Sequence, residues 1–386
     1  MSETVSLRKF IAPEFVFGLG ARRLVGRYVR NFSARRVLLV TDPGVVGAGW
    51  TSEIADILQE EGIFCLVYAE VSSNPRDSEV MRGVQVFRDA DCDMIVAIGG
   101  GSPMDCAKGI GIVVSNGRHI NDYEGIDKIP TPCPPLICIP TTAGSSADVS
   151  QFAIITATEQ RKKIAIVSKA LVPDGALIDP ETLTTLSPEL TAHTGMDALV
   201  HAIEAYVSSA SSSITDLFAR EAVRLIGAHL RDAVEHPADR ALRSAMMLAS
   251  LNAGLAFSNA SLGAVHAMAH SMGGLLDLPH GECNALLLCG VIEFNFDAAP
   301  HRYRDIAAAL GIGTDNLPDS ALKEKLIASI RKLNAQLGIP DHLAEVGVRK
   351  ESIPLLAHHA LHDACMVTNP RIPTLNDIEA IYERYL

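Results

Sequence analysis

Five side chains in the second half of the chain have the types and spacing of a reactive centre. Asp197 and His201 stand four apart in GMDALVHAIEAY, where Met196, Leu199, Val200, Ile203 and Val207 supply an apolar helical stripe. Residues i and i+4 share one helix face, so the carboxylate and the imidazole point the same way. His266 and His270 repeat the spacing in GAVHAMAHSMGG, a run expected to stop near Gly273-Gly274, and His280 follows on what reads as a Pro-Gly flanked turn, PHG. One carboxylate and three imidazoles, Asp197, His201, His266 and His280, suit a borderline divalent cation such as zinc or ferrous iron. His270, one turn beyond His266, is placed to stand beside the ion as a proton carrier. Singly, each His reads as a satisfied buried side chain. Jointly the pattern is hard to explain by packing, because surface helices do not need it and cores avoid it.

These residues must be held by elements of two textures. The segments RRVLLV, IFCLVYAEV, DMIVAIG, PPLICIP and ALID carry unbroken apolar runs, the mark of parallel strands covered on both faces, and PEFVFGLG reads as a further short strand. Thr51–Glu61 and Asp77–Ala90 read as intervening helices, while FAIIT and KKIAIVS read as an extended pair. After about residue 185 strand-like runs give way to long i, i+3, i+4 patterns. The expected division is an α/β unit over 1–186 and an all-helical unit over 187–386, with the boundary at Ser187-Pro188.

Three polar loops end the strands of the first half. In AIGGGSPMDCAK the glycines Gly99, Gly100 and Gly101 leave backbone amides open to an anion at a helix start, with Ser102 as the expected N-cap and Pro103 at the first helical position. An ordinary strand-to-helix turn would read the same way. The loop is neither GxGxxG nor GxxxxGK[ST], so neither the usual dinucleotide fingerprint nor a P-loop is present. Asp42, at the end of the first strong strand, has the chemistry to accept a ribose diol and repel a 2′-phosphate, favouring NAD over NADP; a turn residue before Pro43 is the equal alternative. Thr141 and Thr142 head the second polar loop. Asp105 and Lys108 read as a solvated helix face.

The chain has 386 residues, 48% of them hydrophobic, enough for two domains with substantial cores. A net charge of -12 argues against a nucleic-acid surface. The first ten residues lack a signal-peptide core and no apolar run reaches spanning length, which predicts a cytoplasmic protein without a membrane segment. The eight cysteines form no CxxC pair, so neither a zinc ribbon nor a disulfide framework is expected.

FGLGA (17–21), GGGSPMDCAK, PTTAGSSAD, the DP and GMDALVHAIEAY segments, the stretch to His280 and TNPR (368–371) together resemble the iron-containing, metal-dependent group III alcohol dehydrogenases, nearly end to end. The resemblance implies a dehydroquinate synthase-like fold: a parallel-sheet α/β dinucleotide-binding domain and an all-α domain, with the active site in the cleft between them. It implies NAD at Asp42, Gly99, Gly100, Gly101, Ser102, Asp105, Thr141 and Thr142. One divalent ion, ferrous iron first and zinc second, falls to Asp197, His201, His266 and His280, with His270 beside it. Phe257 and Cys365 are placed in the substrate pocket by analogy, packing being their alternative role. A homodimer or larger assembly is implied. So is reversible oxidation of a small alcohol to an aldehyde or ketone; a lyase using NAD transiently and a non-catalytic aldehyde or nucleotide sensor are the rivals. One departure stands out: where the family loop reads TGSE this chain has SSAD (145–148), and the shorter acid is expected to change contacts around the nicotinamide.

Overall fold

The computed structural model describes residues 8–386. Among the described residues nine strands form, β1 (Glu14–Phe17), β2 (Arg36–Val40), β3 (Phe64–Tyr68), β4 (Met94–Gly99), β5 (Gly125–Ile126), β6 (Leu136–Pro140), β7 (Phe152–Ala157), β8 (Lys162–Val167) and β9 (Gly175–Ile178). Six of them make a parallel sheet in the order β1-β9-β6-β4-β2-β3. The apolar runs explain why: Val37–Val40 and Met94–Ile98 are at most 1% exposed, so both faces of the central strands are covered. The helices α1 (Val25–Asn31), α2 (Pro43–Gly47), α3 (Trp50–Glu60), α4 (Asp77–Asp89) and α5 (Gly101–Asn116) accompany this sheet. The extended pair is an antiparallel hairpin, β7 with β8, and β5 joins β8 in parallel as a second small sheet.

Helices dominate from residue 188 onward. Ser187 caps α6 (Pro188–Val207), accepting from Leu190 N at 3.1 Å, with Pro188 in the first turn where its missing N–H costs nothing. Against α6 pack α7 (Ser213–Glu235), α8 (Arg240–Ala260) and α10 (His280–Asn295), and α9 (Ala264–Leu276) packs on α10. The set is completed by α11 (Pro300–Ala309), α12 (Asp319–Gln336), α13 (Ile353–Leu361) and α14 (Leu375–Arg384). Packed among these helices, Asp197 and His201 of α6 are 4% and 3% exposed.

Four local expectations change. Ser102 does not cap α5: Gly100 holds that position, and the Ser102 hydroxyl donates to the Ser73 carbonyl at 2.5 Å. Lys108 is no solvated side chain; it is 1% exposed and its ammonium donates to the carbonyls of Ser150 (2.9 Å) and Phe152 (2.7 Å). The His-bearing helix runs past both glycines to Leu276 and ends at Asp277 with φ 56°. His280 opens α10 rather than sitting on a turn, so its ring is set by a helix start.

Candidate metal and nucleotide site

A cavity of about 760 Å³ lies between the two units. Its first wall is built by the loops at the carboxyl ends of β2, β4 and β6, bearing Asp42, Gly100, Gly101, Ser102, Asp105, Thr141 and Thr142. That is where open α/β sheets take ligands. Asp42 caps α2, accepting from Val45 N at 3.0 Å through Oδ1 alone, so the nucleotide and turn readings are compatible. Gly99 lies behind the wall, with φ +153°; a Cβ there would come 2.6 Å from Pro103 Cγ. A Cβ on Gly101 would meet Ser145 Cβ at 2.8 Å, so glycine here lets the two polar loops pack together. Asp105 accepts from Ile154 N at 3.2 Å, and burial pushes its carboxyl up to about 6. Asp148, the acid of the SSAD departure, is 5% exposed and faces the interior rather than the cavity.

The opposite wall carries Asp197, His201, His266, His270, His280 and Phe257. Asp197 Oδ1 is the focus: His266 Nε2 and His280 Nε2 each lie 3.6 Å away and His201 Nδ1 3.9 Å. One donor atom each from Asp197, His201 and His266 falls within 4.8 Å of the others. Such separations are long for hydrogen bonds. They are close to the roughly 3.4 Å between two donors each about 2.1 Å from a shared tetrahedral ion. The buried Nδ1 of His201, which faces Asp197, has no hydrogen-bond partner among the described residues. The donor set therefore fits a divalent cation.

For Asp197, His201 and His280 the electrostatics agree with the geometry. Burial opposes charge on Asp197, yet His201, His280 and His266 hold its carboxyl far below the usual range. Burial depresses His201 to about 3 and His280 well below an ordinary imidazole, keeping both lone pairs available. Against the same burial, the neighbouring Asp197 and Glu204 carboxylates push His266 up to about 9, so this ring would lose a proton on taking a cation. The rings of His201 and His266 stack at 4.4 Å, and Phe257 stacks on His201 at 4.3 Å.

Four contributors escaped the sequence reading. Glu204, three residues after His201 on the stripe of α6, meets His266 Nδ1 through Oε2 at 2.6 Å. Asp363 meets His270 Nδ1 at 2.9 Å. Asn284, one turn into α10 from His280, donates to Asp197 Oδ1 at 2.7 Å and lies 3.2 Å from Nε2 of both His266 and His280. Lys163 of β8 adds an amine to the cavity wall, its charged form disfavoured by burial. Helical spacing was the available signal for Glu204 and Asn284; nothing in the sequence marks Asp363 or Lys163. Cys365 is 0% exposed and stands behind Asp363, its backbone N–H donating to Asp363 Oδ1 at 2.8 Å, rather than on the cavity wall, so the pocket role expected for it is not what its position gives.

Residues 12–180 match the model of the iron-containing alcohol dehydrogenases, and residues 191–386 match the C-terminal model of the Fe-containing alcohol dehydrogenase family. The chain is 39% identical to an NAD-dependent methanol dehydrogenase of Bacillus methanolicus, over 98% of this chain and 99% of that one. It is 41% identical to a 1,3-propanediol dehydrogenase of Klebsiella pneumoniae, over 95% of this chain and 96% of that one. A crystal structure of a 1,3-propanediol oxidoreductase superposes with a TM-score of 0.95 at 40% identity, covering 99% of this chain and all of that one. The sheet-and-bundle architecture, the buried Asp–His cluster and these matches across both halves agree: the chain belongs to the iron-containing alcohol dehydrogenase family.

Proposed function

We propose that this protein interconverts a small alcohol and its aldehyde or ketone by hydride transfer to and from NAD, using one divalent metal ion. A single observation carries the reading: the Asp197–His201–His266–His280 cluster and the glycine loop face each other across one cavity. Asp197, His201, His266 and His280 hold the ion, ferrous iron in first place, in keeping with the family's description and a donor set that zinc also accepts. Asp42, Gly99, Gly100, Gly101, Ser102, Asp105, Thr141 and Thr142 hold NAD, Gly99 through the backbone turn it permits. When bound, the ion supplies Lewis acidity that makes an alcohol O–H easier to ionise.

The remaining work falls to the chain's own groups. Asp363 occupies His270 Nδ1, which leaves Nε2 as the ring nitrogen that faces the cavity and takes the alcohol proton toward solvent. Phe257 covers the cluster with an apolar ring, which suits a short alkyl group. The relatives named for methanol and 1,3-propanediol support short alcohols. No observation favours a lyase or a sensor.

The same reading divides the chain at residues 186/187, where Ser187 caps the first helix of the bundle. Eight unpaired cysteines support a cytoplasmic setting, and no described helix is long and apolar enough to cross a membrane. The exposed Phe15 and Phe17 on the edge strand β1 support a homodimer or larger assembly.

Metal analysis of protein purified without oxygen, followed by NADH-linked assays with short alcohols and aldehydes, tests the proposal. One ion per chain and alcohol-dependent NAD reduction are expected. Metal-loaded protein that turns over no alcohol or aldehyde would overturn it.

A further inference from the structure

Glu204 sits where two hydrogen-bond donors converge. Its Oε1 accepts the backbone N–H of Val265 at 2.7 Å, one of the first amides of α9, which have no partner within the helix. Its Oε2 is 2.6 Å from Nδ1 of His266. Both side chains are buried, at 4% and 1% exposure. The α9 N-terminus favours negative charge at this point. A carboxylate has no proton to give, so the hydrogen of this contact is carried by His266 Nδ1. In the neutral ring the lone pair then falls on Nε2, the atom 3.6 Å from Asp197 Oδ1. By contrast, Nδ1 of His280, whose Nε2 faces Asp197, has no partner among the described residues. Of the three candidate imidazole ligands, the ring held from behind by a carboxylate among the described residues is thus His266.

We infer that Glu204 is a positioning residue that fixes the tautomer of His266 and thereby sets the affinity of the centre for its ion. The inference rests on the metal-site reading proposed above. Its logic is a count of donors and acceptors. Two N–H groups face Glu204, and only a group with two acceptor oxygens satisfies both. In Glu204→Gln the amide oxygen serves one donor and the amide NH2 faces the other. With the oxygen on Val265, the NH2 donates to Nδ1 and drives the ring hydrogen onto Nε2, toward the ion. With the oxygen on His266, the Val265 amide is left facing a second donor. Glu204 and Asp197 also bring two buried negative charges to three imidazoles, which matches a divalent ion.

Cobalt(II) titration of chelator-stripped enzyme against a competing dye, for wild type, E204Q and His266→Ala, tests the inference, with d–d absorption as a second readout. Wild type is expected to take one cobalt per chain. E204Q should bind it about 10–100-fold more weakly, as outer-sphere partners of metal ligands generally do when lost. Its cobalt spectrum should change while the melting temperature of the metal-free protein stays close to wild type. If E204Q fails to fold, Glu204→Asp, which keeps the charge but withdraws it by one methylene, should show the same weakening. E204Q with wild-type affinity and spectrum beside an H266A protein that has lost cobalt overturns the role of Glu204 and leaves the metal site standing. Wild type and H266A that bind cobalt alike overturn the metal-site reading and this inference together.

Discussion

Asp363 Oδ2 lies 2.9 Å from His270 Nδ1, joining a residue of the helical domain's last third to the ring that lines the cavity beside the Asp197–His cluster. Burial opposes charge on Asp363, and His270 together with the Cys365 amide holds its carboxyl below the usual range. The pair fixes which nitrogen of His270 is presented. Replacing His270 by Ala should lower kcat by about 10²–10⁴, the usual worth of a general acid–base group. Asp363→Asn should lower kcat roughly 10–100-fold with a smaller change in KM, and the double variant should be no slower than H270A alone. Steady-state kinetics check this; strictly additive losses would separate the two residues.

Asp42 uses one carboxylate oxygen to cap α2 and leaves the other toward the cavity. Asp42→Gly keeps most of the cap's worth, since glycine at this position costs only a few tenths of a kcal/mol. It removes the charge that disfavours a 2′-phosphate. The ratio of kcat/KM for NAD to that for NADP should fall on the order of tenfold, about 1.4 kcal/mol. An unchanged ratio would show that Asp42 is only a turn residue.

Gly281 follows His280 at the start of α10, and a Cβ there would sit 2.2 Å from the His193 carbonyl oxygen. Backbone cannot yield as a flexible side chain does. Gly281→Ala should therefore cost about 1–3 kcal/mol and shift the helix start that carries His280. A lower melting temperature and reduced metal content are expected together. Full metal content at wild-type stability would mean that α10 tolerates the displacement.

Burial raises the carboxyl of Asp148 from 3.8 to about 6. Between those values the folded state binds more protons than the unfolded chain, so stability falls as pH rises through the window and the penalty is complete above it. Asp148→Asn should remove that slope. It should be more stable than wild type at pH 7 by on the order of 1–3 kcal/mol, with the difference gone below about pH 4. Denaturant unfolding across this pH range gives the answer; parallel curves for the two proteins would refute it.

Local rules carried much of the architecture. The unbroken apolar runs of β2, β4 and β6 are strands because both faces are buried, and the i, i+4 spacing of Asp197 and His201 is geometry that a helix imposes wherever it lies. Positions decided by a neighbouring element were misread. Lys108 looked solvated because nothing in its own segment announces the Ser150 and Phe152 carbonyls that surround its ammonium. Ser102 looked like a cap because its type suits one, but the helix starts two residues sooner, with Gly100 in that position, and the Ser73 carbonyl takes the Ser102 hydroxyl.

From the sequence alone come the fold class, the four candidate ligands and the glycine loop, because residue type and short-range periodicity fix them. Only the tertiary structure brings Glu204 to His266 and Asp363 to His270, across 62 and 93 positions of chain. A hydrogen bond depends on where two backbones come to rest in space, and no period along a single segment encodes that distance.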